Sequence, residues 1–354
     1  MECFKRYRGV ASGSVMRVPY AKVSPYAGQP DQRRDMTVKV GVIMDPIAAI
    51  NPKKDTTLAL LLAAQRRGWE LHYMELGALS LRDGHALGIT RQVQVHDDYQ
   101  HWFDFHGEPA TRELRDLDVI LMRKDPPFDT EYIFATYLLE RAQIAGCLVV
   151  NDPRALRDAN EKLFTAWFAD VCPPTLVARR HSVIREFLAE FRDIVVKPLD
   201  GMGGSSVFRV QTGDANASVI LETLTALETR YCMAQKYLPE IVDGDKRVLV
   251  IDGEPVPYAL ARIPPAGELR GNLAAGGRGE GRPLTARDRE ICARVGPSLK
   301  ARGLLFVGLD VIGNYLTEIN VTSPTCVREL EAQFAIPIAD RLMEAIALRL
   351  AARP

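Results

Sequence analysis

The chain has 354 residues, 47% of them hydrophobic and 25% charged, which is enough for two or three domains with cores of their own and excludes a disordered protein. Forty-five basic against forty-five acidic side chains leave no net field to draw it onto nucleic acid or an anionic membrane, so small molecules or copies of itself are the expected partners. Six scattered cysteines (Cys3, Cys147, Cys172, Cys232, Cys292 and Cys326) form no CxxC pair, which suits reduced thiols in a cytoplasm, and no apolar run reaches transmembrane length.

Residues 1–37 read as a disordered extension: Ser, Gly, Pro and Tyr are scattered without periodicity, and seven basic residues face three acids up to Met36. Met36, just before the first convincing strand, is a candidate translation start. From Val38 the pattern becomes α/β. Val38 to Met44 is a buried strand, a helix capped by Asp55 carries Leu58, Leu61, Leu62 and Gln65 on one stripe, Gly68 ends it, and Trp69 to Met74 is the next strand. These make a βαβ unit. Asp118 to Met122 is another buried strand, emptying into the charged, proline-fixed loop Arg123-Lys-Asp-Pro-Pro-Phe128. Ligands of open α/β sheets sit beyond the carboxyl ends of strands, so Arg123 and Lys124 are candidates for holding an anionic substrate; a solvated loop is the alternative. His96, His101 and His106 recur every five residues, a spacing that fits neither a helix face nor a strand face, and no metal is expected there.

Asn151-Asp-Pro153 breaks the first domain, and a helix from Asn160 is expected to pack through Leu163 and Trp167. Lys162 sits near its N-terminus, where a cation gains nothing from the helix dipole, so it is either solvated or balanced by an anion. Asp193-Ile-Val-Val-Lys197 is a short strand that delivers a lysine to the glycine-rich bend Gly201, Gly203, Gly204, and Ser206 to Gln211 alternates like a returning strand. No GK[ST] closes the bend, so this is no Walker A loop. It reads either as a hairpin tipped over phosphates or as an ordinary glycine-rich turn.

Tyr231 to Pro239, containing Gln235, Lys236, Tyr237 and Leu238, is a semi-apolar strand that can present its edge to an adenine ring or simply belong to the core. A strand from Asp243 turns through Asp252-Gly253 into Glu254 to Arg262, a DG hairpin. Residues 263–285 show no apolar periodicity but interleave glycines with Arg270, Arg278 and Arg282, as a lid that closes over an anion would. A helix from a Thr285 cap leads to the strands Leu304 to Ile312 and Tyr315 to Val321. Glu318 and Asn320 share a face by the period of two, and a three-residue turn, Gly313 to Tyr315, is expected to bring Asp310 opposite Glu318. Two carboxylates and an amide oxygen make a hard-oxygen set suited to magnesium shared with nucleotide phosphates. The hydroxyl-rich turn Thr322-Ser-Pro-Thr325 follows and could bind a carboxylate.

A lysine before a glycine-rich hairpin, an Arg/Gly lid and a terminal Asp…Glu-x-Asn together resemble the ATP-grasp superfamily. Met44-Asp-Pro46, Met122-Arg-Lys-Asp-Pro-Pro127, Lys197-Pro-Leu-Asp-Gly-Met-Gly-Gly204, Arg270-Gly-Asn-Leu-Ala-Ala-Gly-Gly277 and Glu318-Ile-Asn-Val-Thr-Ser-Pro324 are similar to prokaryotic glutathione synthetase. The resemblance covers about Val38 to the final helix. It implies an α/β chain: a Rossmann-like domain over 38–159, then an ATP-grasp domain over 160–350. The implied reaction joins γ-glutamylcysteine to glycine through an acyl phosphate at the expense of ATP, giving glutathione, ADP and phosphate. By that resemblance Asp310, Glu318 and Asn320 hold Mg2+, with Mn2+ able to substitute. Lys162, Lys197 and the bend of Gly201, Gly203 and Gly204 hold phosphates, Gln235 to Leu238 line the adenine site, and Asp245 lies near ribose and metal. Arg262, Arg270 and Asn272 serve the reacting groups; Arg123, Ser323 and Thr325 hold the dipeptide. A cytoplasmic homotetramer is the implied assembly. Another ATP-grasp ligase, such as one making a D-alanyl dipeptide, and a nucleotide-binding regulator without catalysis are the competing readings.

Overall fold

Val40, Val42 and Ile43 leave β1 (Lys39–Ile43) apolar on both faces, the composition of a parallel strand covered by helices on each side. The computed structural model describes residues 37–201, 204–265, 268, 271 and 276–353. The N-terminal extension, Gly203, Arg270 and Asn272 therefore lie outside the described residues.

Asp55 caps α1 (Thr56–Arg66) by accepting from the Leu58 N–H, and α1 returns the chain to β2 (Glu70–Met74), parallel to β1. The following stretch alternates into a long antiparallel ribbon, β3 (Leu79–Arg82), β4 (His85–Val95) and β5 (Phe103–Glu113). Beyond it β6 (Val119–Met122), α2 (Thr130–Ile144) and β7 (Leu148–Val150) extend the parallel part. The sheet runs β3-β4-β2-β1-β6-β7, with β5 on β4. The βαβ core was readable; the ribbon was not recognised, although β4 alternates buried and exposed residues over much of its length.

After α3 (Pro153–Asp158), a four-stranded antiparallel sheet in the order β10-β9-β11-β8 is built from β8 (Thr175–Ala178), β9 (Asp193–Pro198), β10 (Phe208–Gln211) and β11 (Cys232–Lys236). Helices α4 (His181–Phe191) and α5 (Ala217–Thr225) cover it through Ile184, Leu188, Leu221 and Leu224. A five-stranded sheet follows, β14-β13-β12-β15-β16: β12 (Asp245–Ile251), β13 (Glu254–Ile263), β14 (Arg278–Pro283), β15 (Phe306–Ile312) and β16 (Tyr315–Asn320). Asp252 and Gly253, both at positive φ, make the expected tight turn between β12 and β13. Thr285 and Asp288 form a reciprocal capping box at α6 (Ala286–Ala301). The chain ends in α7 (Val327–Phe334) and α8 (Ile338–Ala351), and α8 shares a buried core with α1.

Two expectations need correction. Residues 278–283 of the expected lid are a strand paired with β13, and most of the rest of that lid lies outside the described residues. The helix after Asn160 is a 3-10 helix, Leu163–Val171, whose buried aromatics are Phe164 and Phe168 while Trp167 is exposed; three residues per turn turn a different face inward. Asn151 also ties the N-terminal stretch to β15 and to Val321, just after β16. Its side-chain amide, 3% exposed, donates to the carbonyls of Phe306 (2.8 Å) and Val321 (2.7 Å) and accepts from the Phe306 N–H (2.9 Å). Residues from 37 onward form one compact unit. Among the described residues no helix is long and apolar enough to cross a membrane.

Candidate active site

The four- and five-stranded sheets face each other across a cavity of about 400 Å3. Its wall on one side comes from Val195 and Lys197 of β9 and from Gln235 and Lys236 of β11. On the other side are Asp245 and Arg247, Arg262, Asp310, and Thr317, Glu318 and Asn320. Gly201 and Gly204 of the bend, Tyr237, Leu238, Ser323 and Thr325 also line it. Nearly every expected binding residue that is described therefore meets at one place.

The charged cluster follows from strand register. β12 lies between β13 and β15, so Asp245 sits opposite Arg262 and Arg247 sits opposite Asp310. Arg247 donates from Nε to Asp310 Oδ1 (2.5 Å) and from Nη2 to Oδ2 (3.1 Å). Arg262 Nη2 reaches Asp310 Oδ2 (2.8 Å) and also bonds the Asp245 carboxylate. Burial pushes the Asp310 carboxyl upward, but the guanidiniums of Arg247 and Arg262 outweigh it and hold Asp310 well below the usual carboxylate range. Burial pushes Asp245 up to about 6 over the opposing pull of Arg262, with the charge of Asp310 adding to it.

Asp310 does pair with Glu318, but not by the expected turn. The turn is the two-residue Gly313-Asn314, with Ile312 opposite Tyr315; the extra residue is Thr317, a β-bulge between Leu316 and Glu318. The one-residue offset was right and its location was wrong. The bulge turns the Thr317 carbonyl to accept from Lys197 Nζ (3.3 Å). Lys162 Nζ bridges the two halves of the cavity, pairing with Glu318 (3.0 Å) and donating to the Gly201 carbonyl. Its balancing anion is therefore Glu318, and it is buried rather than solvated. Burial lowers the Lys197 ammonium, with Lys162 adding to the effect and Glu318 opposing it. Gly204 takes φ of +76°, and β9 and β10 pair as the expected hairpin.

Two carboxylates and an amide in one wall suit a hard divalent cation. Asn320 donates its Nδ2 to the Gly308 carbonyl (3.2 Å), leaving its Oδ1 toward other partners. Asp245 Oδ1 is buried with no hydrogen-bond partner, an acceptor that a cation would satisfy. The residues fit magnesium with a polyphosphate. At the other end, Gln235 Nε2 bonds Thr175 Oγ1 (3.0 Å), and the Arg209 guanidinium, held by Asp193, stacks 3.8 Å over the Tyr237 ring. Val195, Leu238 and Ile241 give the slot at this end its apolar lining.

Arg123 lies behind the Thr322 to Thr325 turn. It is buried, donates to Thr57 Oγ1 (3.1 Å) and to the Pro324 carbonyl (2.9 Å), and does not line the cavity. Lys124 is tied to Asp45 (2.8 Å). Arg123 thus braces the turn that carries Ser323 and Thr325, while its Nη1 is buried with no hydrogen-bond partner. Thr322 is likewise spent, donating to Glu161.

Among the cavity residues that were missed, two are charged groups at its centre, Glu161 and Arg247. Glu161 accepts from the Val321 N–H (2.9 Å), the Thr322 N–H (3.0 Å) and Thr322 Oγ1 (2.8 Å), fixing the same turn. Burial raises its carboxyl, with Glu318 adding to the effect. Nothing local in the sequence marks it. Arg247 was findable, because it lies two residues after Asp245 on the same strand face.

A model of the prokaryotic glutathione synthetase N-terminal domain matches residues 38–157, and one of the ATP-grasp domain of prokaryotic glutathione synthetase matches residues 161–335. The chain is 64% identical over 314 residues to a glutathione synthetase of Salmonella typhi, covering 89% of this chain and 99% of that one. It is 63% identical over 313 residues to one of Escherichia coli, covering 88% and 99%. Among solved structures, a D-cycloserine synthetase matches with a TM-score of 0.63 at 18% identity, over 88% of this chain and 99% of that one. An ATP-grasp ligase solved with a minimal precursor, Mg and ADP matches with a TM-score of 0.56 at 19% identity, over 88% and 98%. These distant matches show the ATP-grasp fold; the close relatives show more. The chain belongs to the prokaryotic glutathione synthetase family, ATP-dependent ligases that join γ-glutamylcysteine to glycine.

Proposed function

We propose that the cavity between the two sheets performs this ligation with the following division of labour, carried by one observation: Lys162, Lys197, Arg262, Asp310 and Glu318 converge from both walls on one cavity that also takes in the slot beside Tyr237 and Leu238. The adenine of ATP lies in the slot against Gln235, Lys236, Tyr237 and Leu238, with Asp245 toward the ribose and the metal. Lys162, Lys197 and the glycine bend hold the phosphates. Mg2+ on Asp310, Glu318 and Asn320 supplies, when bound, neutralisation of phosphate charge, and Mn2+ can take its place.

The cysteinyl carboxylate of γ-glutamylcysteine attacks the γ-phosphorus; a new P–O bond forms as the bond to the β-phosphate oxygen breaks, and ADP leaves. The amine of glycine then adds to the acyl carbon, and the tetrahedral adduct collapses with loss of phosphate and an amine proton. Both steps build negative charge, which Arg262 and the two lysines offset from fixed positions. The chain contributes no nucleophile. Ser323 and Thr325 hold the dipeptide, on a turn fixed by Glu161 and, from behind, by Arg123. Arg270 and Asn272, with Gly203, belong to the same reading as lid and bend residues over the reacting groups; a closed lid keeps water from the acyl phosphate.

The division at 159/160 into substrate and ATP-grasp domains is supported by the separate family matches. A cytoplasmic homotetramer is also proposed; exposed Phe134, Tyr137 and Ile144 along α2 support self-association. Phosphate release measured with γ-glutamylcysteine and glycine omitted in turn, with the product weighed by mass spectrometry, tests the assignment. Release requires both and yields glutathione; ATP binding without turnover would favour a regulator instead.

A further inference from the structure

The histidines that sequence spacing set aside are brought together by the loop between β4 and β5. His96 leaves the end of β4, His101 lies in the loop, and Asp104 is the second residue of β5. His96 Nε2 and His101 Nε2 stand 2.9 Å and 3.0 Å from the same oxygen, Asp104 Oδ2. The two imidazoles lie nearly parallel, with centroids 5.6 Å apart and planes inclined by 18°. All three ligand atoms fall within 4.8 Å of one another.

A spacing of five positions between the histidines fits no regular face, but a loop that folds back on itself has no such period. Here the loop is held. The His96 N–H donates to the Trp102 carbonyl (2.9 Å), Trp102 Nε1 donates to the Ile47 carbonyl (2.8 Å), and Asp98 Oδ1 accepts from the N–H groups of Gln100 (2.7 Å) and His101 (3.2 Å). Asp97 is tied to Arg328 of α7 at 2.7 Å. The ligand positions are therefore set by backbone and packing contacts other than those among the ligands themselves.

We propose that His96, His101 and Asp104 form a site for one borderline divalent transition ion of the Zn2+ class, separate from the magnesium-type oxygen set of the cavity. Two imidazole nitrogens and a carboxylate are the donor set such ions take, whereas magnesium prefers oxygen alone. Bonds of about 2.0–2.1 Å in a tetrahedron place ligand atoms about 3.3–3.4 Å apart. An opening of about 0.4 Å from the present His–Asp spacings would admit the ion. His101 is 64% and Asp104 47% exposed, so water reaches the fourth position. None of the three residues lines the catalytic cavity.

The test titrates Zn2+ into the full chain by calorimetry in a large excess of Mg2+, which occupies the oxygen site. One Zn2+ should bind per chain. His96→Gln and His101→Gln should each weaken it by at least the ~10–100-fold that loss of a ligand's supporting partner costs. His106→Gln, a neighbour on β5 bonded to Gln94, should bind zinc normally. Far-UV circular dichroism would confirm that each variant is folded. No zinc binding under these conditions, unchanged binding in the His96 and His101 variants, or equal loss in the His106 variant would overturn the site and leave the cluster as an ion pair.

Discussion

Arg262→Met separates charge from packing at the centre of the cavity. Arg262 is 3% exposed and bonds both Asp310 and Asp245. Methionine keeps much of its length but leaves Asp245 without its cross-strand partner and Asp310 with Arg247 as its remaining guanidinium. Breaking a buried ion pair from one side costs about 3–5 kcal/mol, because the partner charge stays buried. Loss of a preorganised donor at the reacting groups should lower turnover ~10²-fold or more, about 2.7 kcal/mol of barrier. KM for ATP should change little, since Lys162 and Lys197 remain. Steady-state phosphate release gives kcat and KM, and denaturant unfolding with and without Mg2+ gives stability. Magnesium should restore part of the lost stability by filling the uncovered carboxylate site. Near-normal kcat in a folded variant, or unchanged stability, would refute this account of Arg262.

Three further outcomes follow from neighbouring contacts. Glu318→Gln should fold normally, being half-buried at the cavity wall, yet require at least ~10-fold more Mg2+ for turnover, read from a magnesium titration of the rate. Gly308→Ala would set a Cβ 2.8 Å from Arg247 Cδ and 3.1 Å from Pro324 Cβ, displacing Arg247 from Asp310; it should cost about 1–3 kcal/mol in chemical denaturation and slow turnover. Asp245, raised from 3.8 to about 6 by burial, gives the ligand-free chain a stability contribution that is full below 3.8 and lost as pH rises through about 6, since the folded state there holds more protons than the unfolded one. Asp245→Asn should therefore flatten the stability–pH curve between about pH 4 and 6, measured by denaturation midpoints across that range.

What could be read from the sequence were features whose signal is local. Lys197 ahead of a glycine bend, the Asp252-Gly253 turn, the Thr285 cap and the period-two alternation of Glu318 and Asn320 each specify their own geometry. What escaped depends on partners distant in the chain. The bulge at Thr317 and the expected three-residue turn give the same pairing of Asp310 with Glu318, so the pattern of residues does not distinguish them. Arg123 ends its strand where a ligand-binding residue would, but its side chain turns to Thr57 and the Pro324 carbonyl, contacts that only the assembled fold supplies. Arg278 to Pro283 contain no apolar residue to mark a strand, and the strand exists by pairing with β13. Glu161 is met by backbone N–H groups about 160 residues later in the chain.

The central claim is that the cavity activates the dipeptide carboxylate as an acyl phosphate. The direct measurement uses γ-glutamylcysteine carrying 18O in its cysteinyl carboxylate and weighs the phosphate released during peptide formation with glycine. One 18O atom should pass into phosphate for each glutathione made, because the oxygen that attacks phosphorus leaves with it. Glutathione formed with unlabelled phosphate would contradict the mechanism.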